Sequence, residues 1–501
     1  MVSRIIASSV FIVSLWLSPI FVHAQPAMQW AKCYGSASHE LAKSIAIAWD
    51  GGYVVGGNSD SCQNGVAPDF WIVKTDDSGN VDWKKCYGGS GSELAFFMTR
   101  VQSETDSGYL MVGNTNSNDG DVTGNHGIMD IWAIRTDVHG NLLWQKALGG
   151  TSIDYGLGAR GTPDGGCVIV GETWSNDGDV SGYHGNTDMW VVRLDSAGNI
   201  LWQKCLGGTG FEDGRRVDLT HDGGFVIAGR ASSLDGDVSN LIGGLDYWVV
   251  KLSGNGSLVW EKTYGSAGSD FAFSISRTKD DGFVVAGWSF YDPKANGNYE
   301  SILKIDKHGV QQWTAPPSIT FDAIETSGNG YVTISGEGGD YNINKLSDTG
   351  GTVWTKSMGG SGLEQPWAII EAKDGGYVIA GTTDSNGGDV TGYHGGGDMW
   401  VVKLAPDPTS VSHSIETKET LLLYPNPSDG IFTINFDAKK DLKGLRISIS
   451  NIVGVVILQE EFKRVDGKFV RQIDFSNMPR GMYFVELAVE GKKIKKKMII
   501  Q

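Results

Sequence analysis

Acidic residues recur at one fixed distance from a repeated tryptophan. Six copies of this tryptophan are followed ten positions later by Asp or Glu, namely Glu40, Glu93, Asp154, Glu212, Asp270 and Glu364. The seventh copy is followed by Ala323, with Asp322 beside it. Carboxylates that gather in space bind cations or serve as the acid and base of glycoside hydrolysis. A group that nearly every repeat carries can also accept hydrogen bonds from the Gly-rich turn beside it, and we favour that structural interpretation.

A second set of acidic residues lies in four long loops, at 117–130, 175–188, 233–246 and 385–398. Three of these loops carry two Asp residues separated by one position, namely Asp119, Asp121, Asp177, Asp179, Asp235 and Asp237. Closely spaced carboxylates supply the hard oxygen ligands that calcium prefers, so calcium is the cofactor that this pattern suggests. The twelfth-position Glu of an EF-hand is missing, however, and we favour Asp-Gly turns held by their own side chains.

Histidine and tryptophan mark the same loops as a candidate binding surface. His126, His184 and His394 occupy matching points in three loops of different repeats, so we expect local hydrogen bonds and not one shared metal site. Trp174 opens the loop of the third repeat and can either stack on a sugar ring or pack against its own loop. Repeats five and six lack the long loop, and this asymmetry predicts a binding surface on the loop side.

These residues belong to a unit that recurs seven times. Its closing tryptophan falls at Trp30, Trp83, Trp144, Trp202, Trp260, Trp313 and Trp354. The units are built from short strand-like runs, and the Gly- and Asn-rich turns between them supply the positive φ that hairpins require. Four antiparallel strands in a repeat of this length are typical of a propeller blade. The sequence therefore predicts an all-β protein with a seven-bladed β-propeller over residues 25–404.

The two ends of the repeat region complement each other. The last unit stops after a third strand that ends at Lys403, whereas residues 28–34 form a fourth-strand run with no unit before it. We predict that this N-terminal strand completes the seventh blade and closes the ring, which removes exposed sheet edges. The turn from Asp137 to Trp144 resembles the tryptophan-docking motif of quinoprotein-type propellers. That resemblance covers only this short piece, and the quinone and metal sites of those enzymes have no match.

Composition indicates an exported protein. Residues 1–24 combine a positive start, an apolar run and Val22-His23-Ala24, which predicts a secretory signal peptide, and no later stretch predicts a transmembrane helix in the mature chain. The net charge is −17. This acidity argues against nucleic acid as a partner and suits a glycan or a surface protein. Cys62 and Cys86 are predicted to form a disulfide because the strand order brings both to the loop side.

The C-terminal residues follow a different pattern. Residues 405–420 are polar and predict a linker, and residues 421–501 alternate as short strands, which predicts a β-sandwich. Ordered motifs in this part include Tyr424, Pro425, Asn426, Pro427, Gly430, Gly454, Gly481 and Tyr483. With these motifs the region closely resembles the type A C-terminal sorting domain of the type IX secretion system of Bacteroidota.

The resemblance implies a route and a location. It implies export across the inner membrane by the signal peptide, then passage through the outer membrane by the type IX machinery, which is the partner of this domain. The protein is then extracellular or on the outer-membrane surface. In this family the sorting domain is usually removed, and the cargo is released or attached to surface lipopolysaccharide.

For the repeat region, the first hypothesis is a non-catalytic module that binds a glycan or a protein. Near-identical repeats favour binding or structure, and the Gly-x-Ser-x-Gly, His-Glu-x-x-His and Walker patterns are absent. One alternative is a glycan-active hydrolase or lyase that uses the repeated carboxylates at the mouth of the propeller channel. The other is a structural component of a surface layer.

Overall fold

The computed structural model describes residues 25–62, 67–102, 107–289, 301–316, 319–408, 420–426, 428–437, 444–451, 456–464, 468–489 and 492–500. The predicted signal peptide and most of the predicted linker lie outside these residues. The chain divides into two compact units, Met1–His413 and Ser414–Gln501. Both are built from β-strands, and the helical content of the described part is one 3-10 turn at Glu337–Gly339.

The first unit contains seven four-stranded antiparallel sheets among its described residues. In chain order the strands are β1 Met28–Tyr34, β2 Glu40–Ile47, β3 Tyr53–Ser59, β4 Asp69–Thr75, β5 Val81–Tyr87, β6 Glu93–Gln102, β7 Ser107–Thr115, β8 Asp130–Asp137, β9 Leu142–Leu148, β10 Asp154–Gly161, β11 Cys167–Thr173, β12 Asp188–Leu194, β13 Ile200–Leu206, β14 Glu212–Leu219, β15 Phe225–Ala231, β16 Asp246–Leu252, β17 Leu258–Tyr264, β18 Asp270–Arg277, β19 Phe283–Ser289, β20 Ile302–Ile305, β21 Gln311–Ala315, β22 Asp322–Glu325, β23 Tyr331–Ser335, β24 Tyr341–Leu346, β25 Thr352–Met358, β26 Glu364–Glu371, β27 Tyr377–Thr383 and β28 Asp398–Leu404. Sheets one to six each take four consecutive strands from β2 to β25, and sheet seven has the order β26-β27-β28-β1.

Burial follows the position of a strand within its sheet. The second and third strands are largely buried and rich in Val, Ile and Trp, as in β12 with the sequence DMWVVRL. The fourth strands, such as β13, begin with exposed residues at the edge of the sheet. The first strand of each sheet packs against the first strand of the next, and β26 packs against β2. The apolar core therefore lies between neighbouring sheets.

The N-terminal strand belongs to the last sheet. β1 pairs antiparallel with β28, and Ala31 lies opposite Val402 while Cys33 lies opposite Trp400. The strand also reaches sheet one, because the Tyr34 hydroxyl donates a hydrogen bond to the carbonyl of Gly79 at 2.7 Å. One strand thus contacts both the last and the first sheet of the unit.

The closing tryptophan of a repeat lies on a turn of the following sheet. A Cβ at Gly198 would lie 3.1 Å from the Trp144 ring, and the φ of Gly198 is +80°, so this turn requires glycine. The Trp144 Nε1 group donates to the carbonyl of Ser196 at 3.0 Å. The same ring-on-glycine contact joins Trp30 to Gly79, Trp83 to Gly140, Trp202 to Gly256, Trp260 to Gly309 and Trp313 to Gly350.

Trp354, the last closing tryptophan, contacts a residue of the predicted linker instead. Its Nε1 group donates to Asp407 Oδ1 at 2.9 Å, and the Tyr377 hydroxyl donates to Asp407 Oδ2 at 2.8 Å. Lys345 Nζ lies 3.3 Å from Asp407 Oδ2. The predicted boundary at residue 404 is therefore too early. The first unit continues through Asp407, because this buried carboxylate replaces the turn that sheet seven lacks.

The second unit contains two antiparallel sheets. Its strands are β29 Thr420–Tyr424, β30 Ile431–Asp437, β31 Leu445–Asn451, β32 Val456–Phe462, β33 Lys468–Asp474, β34 Gly481–Val489 and β35 Lys492–Ile500. One sheet has the order β29-β30-β33 and the other has the order β32-β31-β34-β35. Phe432, Phe436, Ile447 and Val485 lie in the core of this unit.

Residues of the sorting motif fasten the turns of the second unit. The Asn426 side chain donates to the carbonyl of Lys497 at 2.8 Å and accepts the N–H of Ile499 at 3.0 Å, which ties it to the last strand. Gly430 has a φ of +112°, and a Cβ there would lie 2.5 Å from the Cα of Ser476. Of the other motif residues, Tyr424, Pro425, Gly481 and Tyr483 lie in or beside β29 and β34, and Pro427 and Gly454 lie outside the described residues.

Cys62 and Cys86 form the predicted disulfide, with Cα atoms 5.9 Å apart. It joins the loop after β3 to β5 within sheet one. Cys33, Cys167 and Cys205 are free thiols. Burial raises the pKa of Cys167 to about 12, which keeps this thiol protonated and unreactive.

Candidate functional site

The six repeated carboxylates lie at the start of the first strand of their sheets and are 0–2% exposed. Asp154 accepts the N–H of Gly150 at 2.9 Å and the hydroxyl of Ser175 at 2.8 Å. Glu212 accepts the N–H of Gly208 at 2.9 Å. The carboxylates therefore fasten the turns that enter the sheets.

The six carboxylates do not line the central cavity, and their placement at a channel mouth stays a prediction. The central cavity of the first unit, about 910 Å³, lies at the opposite ends of the first strands, and none of the six carboxylates lines it. In sheet one, for example, Glu40 begins β2, whereas the cavity is lined by residues 44–47 at its far end. Each of the six carboxylates accepts one backbone N–H from the turn that precedes its strand.

The paired Asp residues connect the long loops to the segment that enters the same sheet. Asp177 Oδ1 accepts the N–H of Thr151 at 2.7 Å, and Asp179 Oδ2 accepts the N–H of Gly149 at 3.3 Å. Asp119 with Ser90, Asp121 with Gly88, Asp235 with Thr209 and Asp237 with Gly207 repeat this pattern. The bond from Thr151 holds the pKa of Asp177 below its usual range. Within the described ranges, no three His, Cys, Asp or Glu side chains are placed to hold a metal ion, and calcium stays a prediction.

The three predicted histidines lie in different sheets, each beside the Asp that begins a third strand. His184 Nδ1 lies 2.6 Å from Asp188 Oδ2, and the backbone N–H of His184 donates to the same oxygen at 3.0 Å. The corresponding distances are 2.7 Å for His126 with Asp130 and 2.8 Å for His394 with Asp398. A pairing that recurs in three sheets indicates that the histidines fasten loops.

Aromatic side chains gather on the loop side of sheets three to five. The Trp174 ring makes edge contacts with Tyr155 and Phe211, at centroid distances of 5.7 and 6.5 Å. Beyond Phe211, the Arg230 guanidinium lies 4.6 Å from the Phe211 centroid and 5.0 Å from that of Phe271. All five side chains are half-buried. We call the following group the loop-side cluster: Tyr155, Glu172, Trp174, Phe211, Asp213, Arg215, Arg230, Phe271 and Trp288.

Asp213 is the charged centre of the loop-side cluster. Its buried carboxylate accepts Arg230 Nε at 2.7 Å and Arg215 Nε at 2.9 Å. A guanidinium carries five N–H donors in a planar fork, so both arginines keep donors beyond those that bind Asp213. The arrangement therefore combines half-buried rings with fixed hydrogen-bond donors.

In sheets one and two, the residue at the strand position of Glu172 is an Asn that bonds to the backbone of the next sheet. Glu172 lies opposite Tyr155 across β10 and β11. In sheets one and two the matching residues are Asn58 and Asn114, and Asn58 Oδ1 accepts the N–H of Ala95 in the next sheet at 2.6 Å. Glu172 is 7% exposed, and its Oε2 has no hydrogen-bond partner among the described residues. Glu172 therefore occupies the position from which Asn binds the next sheet in sheets one and two.

The charge state of Glu172 is set by its surroundings. Burial, followed by the nearby carboxylate of Asp213, raises the pKa of Glu172 to about 7, and Arg215 and Arg230 oppose this shift. The group is therefore part-protonated at neutral pH and can donate as well as accept a hydrogen bond.

Of the loop-side cluster, sequence analysis identified only Trp174. A signal for the others exists in the repeats. The residue after each repeated carboxylate is Leu41 and Leu94 in sheets one and two, but Tyr155, Asp213 and Phe271 in sheets three to five. The position paired with it changes from Asn58 and Asn114 to Glu172, Arg230 and Trp288.

Two curated proteins are similar to this chain over about half of its length. The regulatory protein FlaEY of Caulobacter vibrioides is 24% identical over 311 residues, which cover 56% of this chain and 32% of the relative. An uncharacterized WD repeat-containing protein of Acanthamoeba polyphaga mimivirus is 23% identical over 297 residues, or 49% of this chain and 21% of the relative. The matched part thus spans a third or less of each relative.

Solved structures with β-propeller-like folds are also similar. The polysaccharide lyase Uly1 has a TM-score of 0.44 at 11% identity and covers 78% of this chain and 96% of its own. Puromycin hydrolase has a TM-score of 0.42 at 11% identity, with 80% and 59% covered. An α-L-arabinofuranosidase of Fusarium graminearum has a TM-score of 0.39 at 11% identity, with 77% and 99% covered. Scores this low carry no argument about activity.

The second unit matches a known protein family. Residues 422–501 match the secretion system C-terminal sorting domain, and they include the Asn426 and Gly430 turns described above. Among the described residues, no helix is long and apolar enough to cross a membrane. The chain therefore carries the C-terminal sorting domain of the type IX secretion system, which implies export as a secreted or cell-surface protein.

Proposed function

We propose that the first unit is a closed seven-bladed β-propeller that binds a glycan at the loop-side cluster after export. The pairing of β1 with β28 and the packing of β26 against β2 support a closed ring. One observation carries the binding proposal: where sheets one and two use Asn to hold the next sheet, sheets three and four place Glu172 and Arg230 beside half-buried rings. This change removes a structural contact and adds groups suited to a ligand.

The chemistry of the cluster fits a sugar. Aromatic faces cover the apolar C–H surface of a sugar ring, while a few fixed polar groups bind its hydroxyls. Trp174, Tyr155 and Phe211 supply the rings, and Arg215 and Arg230 supply donors held in place by Asp213. The acidic net charge of −17 favours a neutral glycan over a strongly acidic one at this surface.

The test is retention of the purified protein on a panel of immobilised polysaccharides, with calcium or with a chelator. We expect retention by at least one neutral polysaccharide. Trp174→Ala should weaken it about tenfold, since a stacked ring contributes on the order of 1–2 kcal/mol. Tyr183→Ala is the matched control, because Tyr183 lies in the same loop and its hydroxyl bonds to the carbonyl of Asn186.

Each outcome of this test has a meaning. Equal losses for Trp174→Ala and Tyr183→Ala would place the ligand elsewhere and overturn the assignment of the site. Loss of retention on chelation would assign calcium to the Asp loops. No retention on any polysaccharide would contradict the glycan proposal and favour a surface protein as partner or a structural surface-layer component.

Glycan cleavage is a second candidate function, and Glu172 favours it. A glycosidase needs one carboxyl group that stays protonated near neutral pH and a second carboxylate that stays ionised. Glu172, with its pKa of about 7, fits the first requirement, and Asp213 is a second buried carboxylate near it. Binding is preferred, because Asp213 is already engaged by two arginines.

Cleavage is distinguished from binding by product release. Released reducing ends that disappear in Glu172→Gln, with retention unchanged, would establish cleavage. Retention without product in the wild-type protein would leave binding as the function. Glu212→Gln is not a suitable variant for this purpose, because the structure buries Glu212 in a turn.

Processing of the chain completes the proposal. We infer that residues 1–24 are removed as a signal peptide and that the sorting domain is removed after passage through the outer membrane. The mature propeller is then released or attached at the surface. Mass spectrometry of the protein from an outer-membrane or medium fraction should show a start at Gln25 and a loss of residues 422–501. Export of a variant that lacks residues 422–501 would contradict this route.

A further inference from the structure

Carboxylates meet in pairs where one sheet of the first unit packs against the next. In each pair, the Asp that begins a third strand lies beside the repeated carboxylate of the following sheet. Between sheets two and three, for example, a Cβ at Gly149 would lie 2.5 Å from Asp154 Oδ2 and 2.8 Å from Asp130 Oδ1. The described residues contain six such junction pairs: Asp69 with Glu93, Asp130 with Asp154, Asp188 with Glu212, Asp246 with Asp270, Asp340 with Glu364, and Asp398 with Glu40.

The junction pair of Asp398 and Glu40 lies where the last sheet packs against the first. Asp398 begins β28, Glu40 begins β2, and both side chains are buried. A Cβ at Gly35 would overlap both Asp398 Oδ1 and Glu40 Oε2, so these two oxygens lie on the same side of the glycine. The backbone N–H of Glu40 donates to the carbonyl of Gly397 at 2.8 Å, which brings the starts of the two strands together.

One oxygen of this pair has no partner. Asp398 Oδ2 accepts the backbone N–H of His394 at 2.9 Å and lies 2.8 Å from His394 Nδ1. Glu40 Oε1 accepts the hydroxyls of Ser36 and Ser59 at 2.7 and 3.0 Å, and Glu40 Oε2 accepts the N–H of Ser36 at 3.0 Å. Asp398 Oδ1 is buried without a hydrogen-bond partner among the described residues. A proton between Asp398 Oδ1 and Glu40 Oε2 would supply the missing hydrogen bond.

The surroundings supply little positive charge to the pair. Within the described part of the chain, the ion pair of Asp398 is the one with His394, and Glu40 has none. Burial, followed by the charges of Asp398 and Glu364, raises the pKa of Cys33 to about 12, so this thiol is neutral. Besides Glu40, the titratable groups near Asp398 are Cys33 of β1, Glu364 of β26, His394 of its own loop, and the exposed Asp384 and His39.

Two buried carboxylates at this separation repel each other when both are ionised, so one of them keeps a proton to higher pH. Burial and the charge of Glu40 raise the pKa of Asp398, although the hydrogen bonds from His394 oppose this shift. The pair of Asp69 and Glu93 behaves alike, because burial and then the charge of Glu93 raise the pKa of Asp69 to about 7.

We propose that Asp398 and Glu40 share one proton, which stabilises the contact between the last and first sheets and makes the closure sensitive to pH. The unfolded chain loses this proton at an ordinary acidic pKa, whereas the folded pair keeps it to higher pH. The stability that it contributes is therefore fully present below pH 3.8, the ordinary value for Asp, and is lost as the pH rises through the folded pKa. The device needs only the packing of sheet seven against sheet one and is independent of glycan binding.

The test is urea unfolding of the full chain from about pH 4 to about pH 9, for the wild-type protein and Asp398→Asn. Tryptophan fluorescence reports on the first unit, because Trp400 is the last tryptophan of the chain. Relative to Asp398→Asn, the unfolding equilibrium constant of the wild-type protein should rise by up to about tenfold per pH unit, which is the effect of one proton. The Asn side chain keeps an acceptor for the N–H of His394, so this variant should fold.

Two further variants define the pair. Glu40→Gln removes the other carboxylate and should remove the same pH dependence, which keeps the test valid if Asp398→Asn does not fold. Asp384→Asn is the matched control, because it removes an exposed carboxylate beside the pair. It should keep the pH dependence of the wild-type protein, and a loss equal to that in Asp398→Asn would show a general charge effect and overturn the pair.

The remaining outcomes separate the shared proton from other causes. His394→Gln keeps a neutral donor for Asp398 and should keep the wild-type pH dependence, so its loss in this variant would assign the titration to His394 and overturn the proposal. The same pH dependence in the wild-type protein, Asp398→Asn and Glu40→Gln would also overturn it. Stabilisation by calcium chloride at about pH 8 in the wild-type protein, but not in Asp398→Asn, would show a bound cation in place of the proton.

Discussion

Sheets one and four differ at the same two register positions. In sheet one, Leu41 lies opposite Asn58, and Asn58 bonds to the backbone of Ala95 in sheet two. In sheet four the corresponding pair is Asp213 and Arg230, which bond to each other. The polar group thus connects two sheets in one case and builds a charged pair within one sheet in the other.

This difference separates residues that the fold needs from residues that a ligand needs. The repeated Trp, Gly and carboxylate positions make the same contacts from sheet to sheet, which indicates stability. The loop-side cluster abandons such a contact and leaves Glu172 Oε2 without a partner. Because sheets three and four give up the contact to the next sheet that Asn58 and Asn114 make, we infer that these positions serve binding. Changes in the two classes should therefore affect different measurements.

The largest expected effect on stability is at Trp30, one of the tryptophans that recur in every repeat. Trp30→Ala should lower the free energy of unfolding of the first unit by on the order of 3 kcal/mol, because the ring covers Gly79 and joins the last sheet to the first. Urea unfolding followed by tryptophan fluorescence measures this loss. Leu201→Ala, at a side chain that is 55% exposed, is the control and should change stability by about 0.5 kcal/mol or less. An unchanged urea midpoint for Trp30→Ala would refute the proposed closure.

Asn58→Leu should have the next largest effect. It removes the acceptor of the Ala95 N–H and leaves that buried group unsatisfied, at a cost of about 2 kcal/mol. Gln365→Leu, at an exposed position in the first strand of sheet seven, is the control and should be nearly neutral. If both variants unfold at the same urea concentration, Asn58 does not hold the sheets together.

Glu172→Gln should raise stability, and the gain should depend on pH. The folded pKa of about 7 exceeds the ordinary value of 4.5, so the wild-type protein loses stability as the pH rises from 4.5 through 7. The variant avoids this loss. Its advantage should be absent near pH 4.5 and reach on the order of 2 kcal/mol above pH 7. Thermal unfolding at several pH values measures it, and a gain that is the same at every pH would contradict the account of Glu172.

The smallest effect is expected at the loop histidines. His184→Ala removes a contact between a partly exposed ring and Asp188, so it should cost about 1 kcal/mol or less and leave glycan retention unchanged. Retention lost in His184→Ala but kept in Trp174→Ala would move the binding site from the loop-side cluster to the loops.

Repetition made much of the fold predictable from the sequence. The strand runs and the pairing of β1 with β28 follow from the repeat, and the Cys62–Cys86 disulfide follows from the strand order. The contacts between each tryptophan ring and a glycine of the next sheet were not predicted. Asp407 could not be found in this way, because a single Asp in a polar stretch gives no sign that it bonds to Trp354.

The site was harder to predict than the fold. Hydrogen bonds from the Gly-rich turns to the repeated carboxylates were the favoured interpretation, whereas the extent of their burial depends on how each turn folds back. Glu172 and Arg230 can be assigned to a binding site only once the strand pairing is known, because it places them opposite Tyr155 and Asp213. The sequence shows that both residues differ from the Asn at this position in sheets one and two, but it does not show their partners on the neighbouring strand.

The most direct test of the division between fold and ligand positions is a joint measurement of unfolding free energy and polysaccharide retention in Trp174→Ala and Asn58→Leu. The two variants should give opposite results. Trp174→Ala should keep most of its stability and lose retention, whereas Asn58→Leu should lose about 2 kcal/mol of stability and keep retention under folding conditions. If Asn58→Leu loses retention while folded, or Trp174→Ala keeps it, the loop-side cluster is not the binding site.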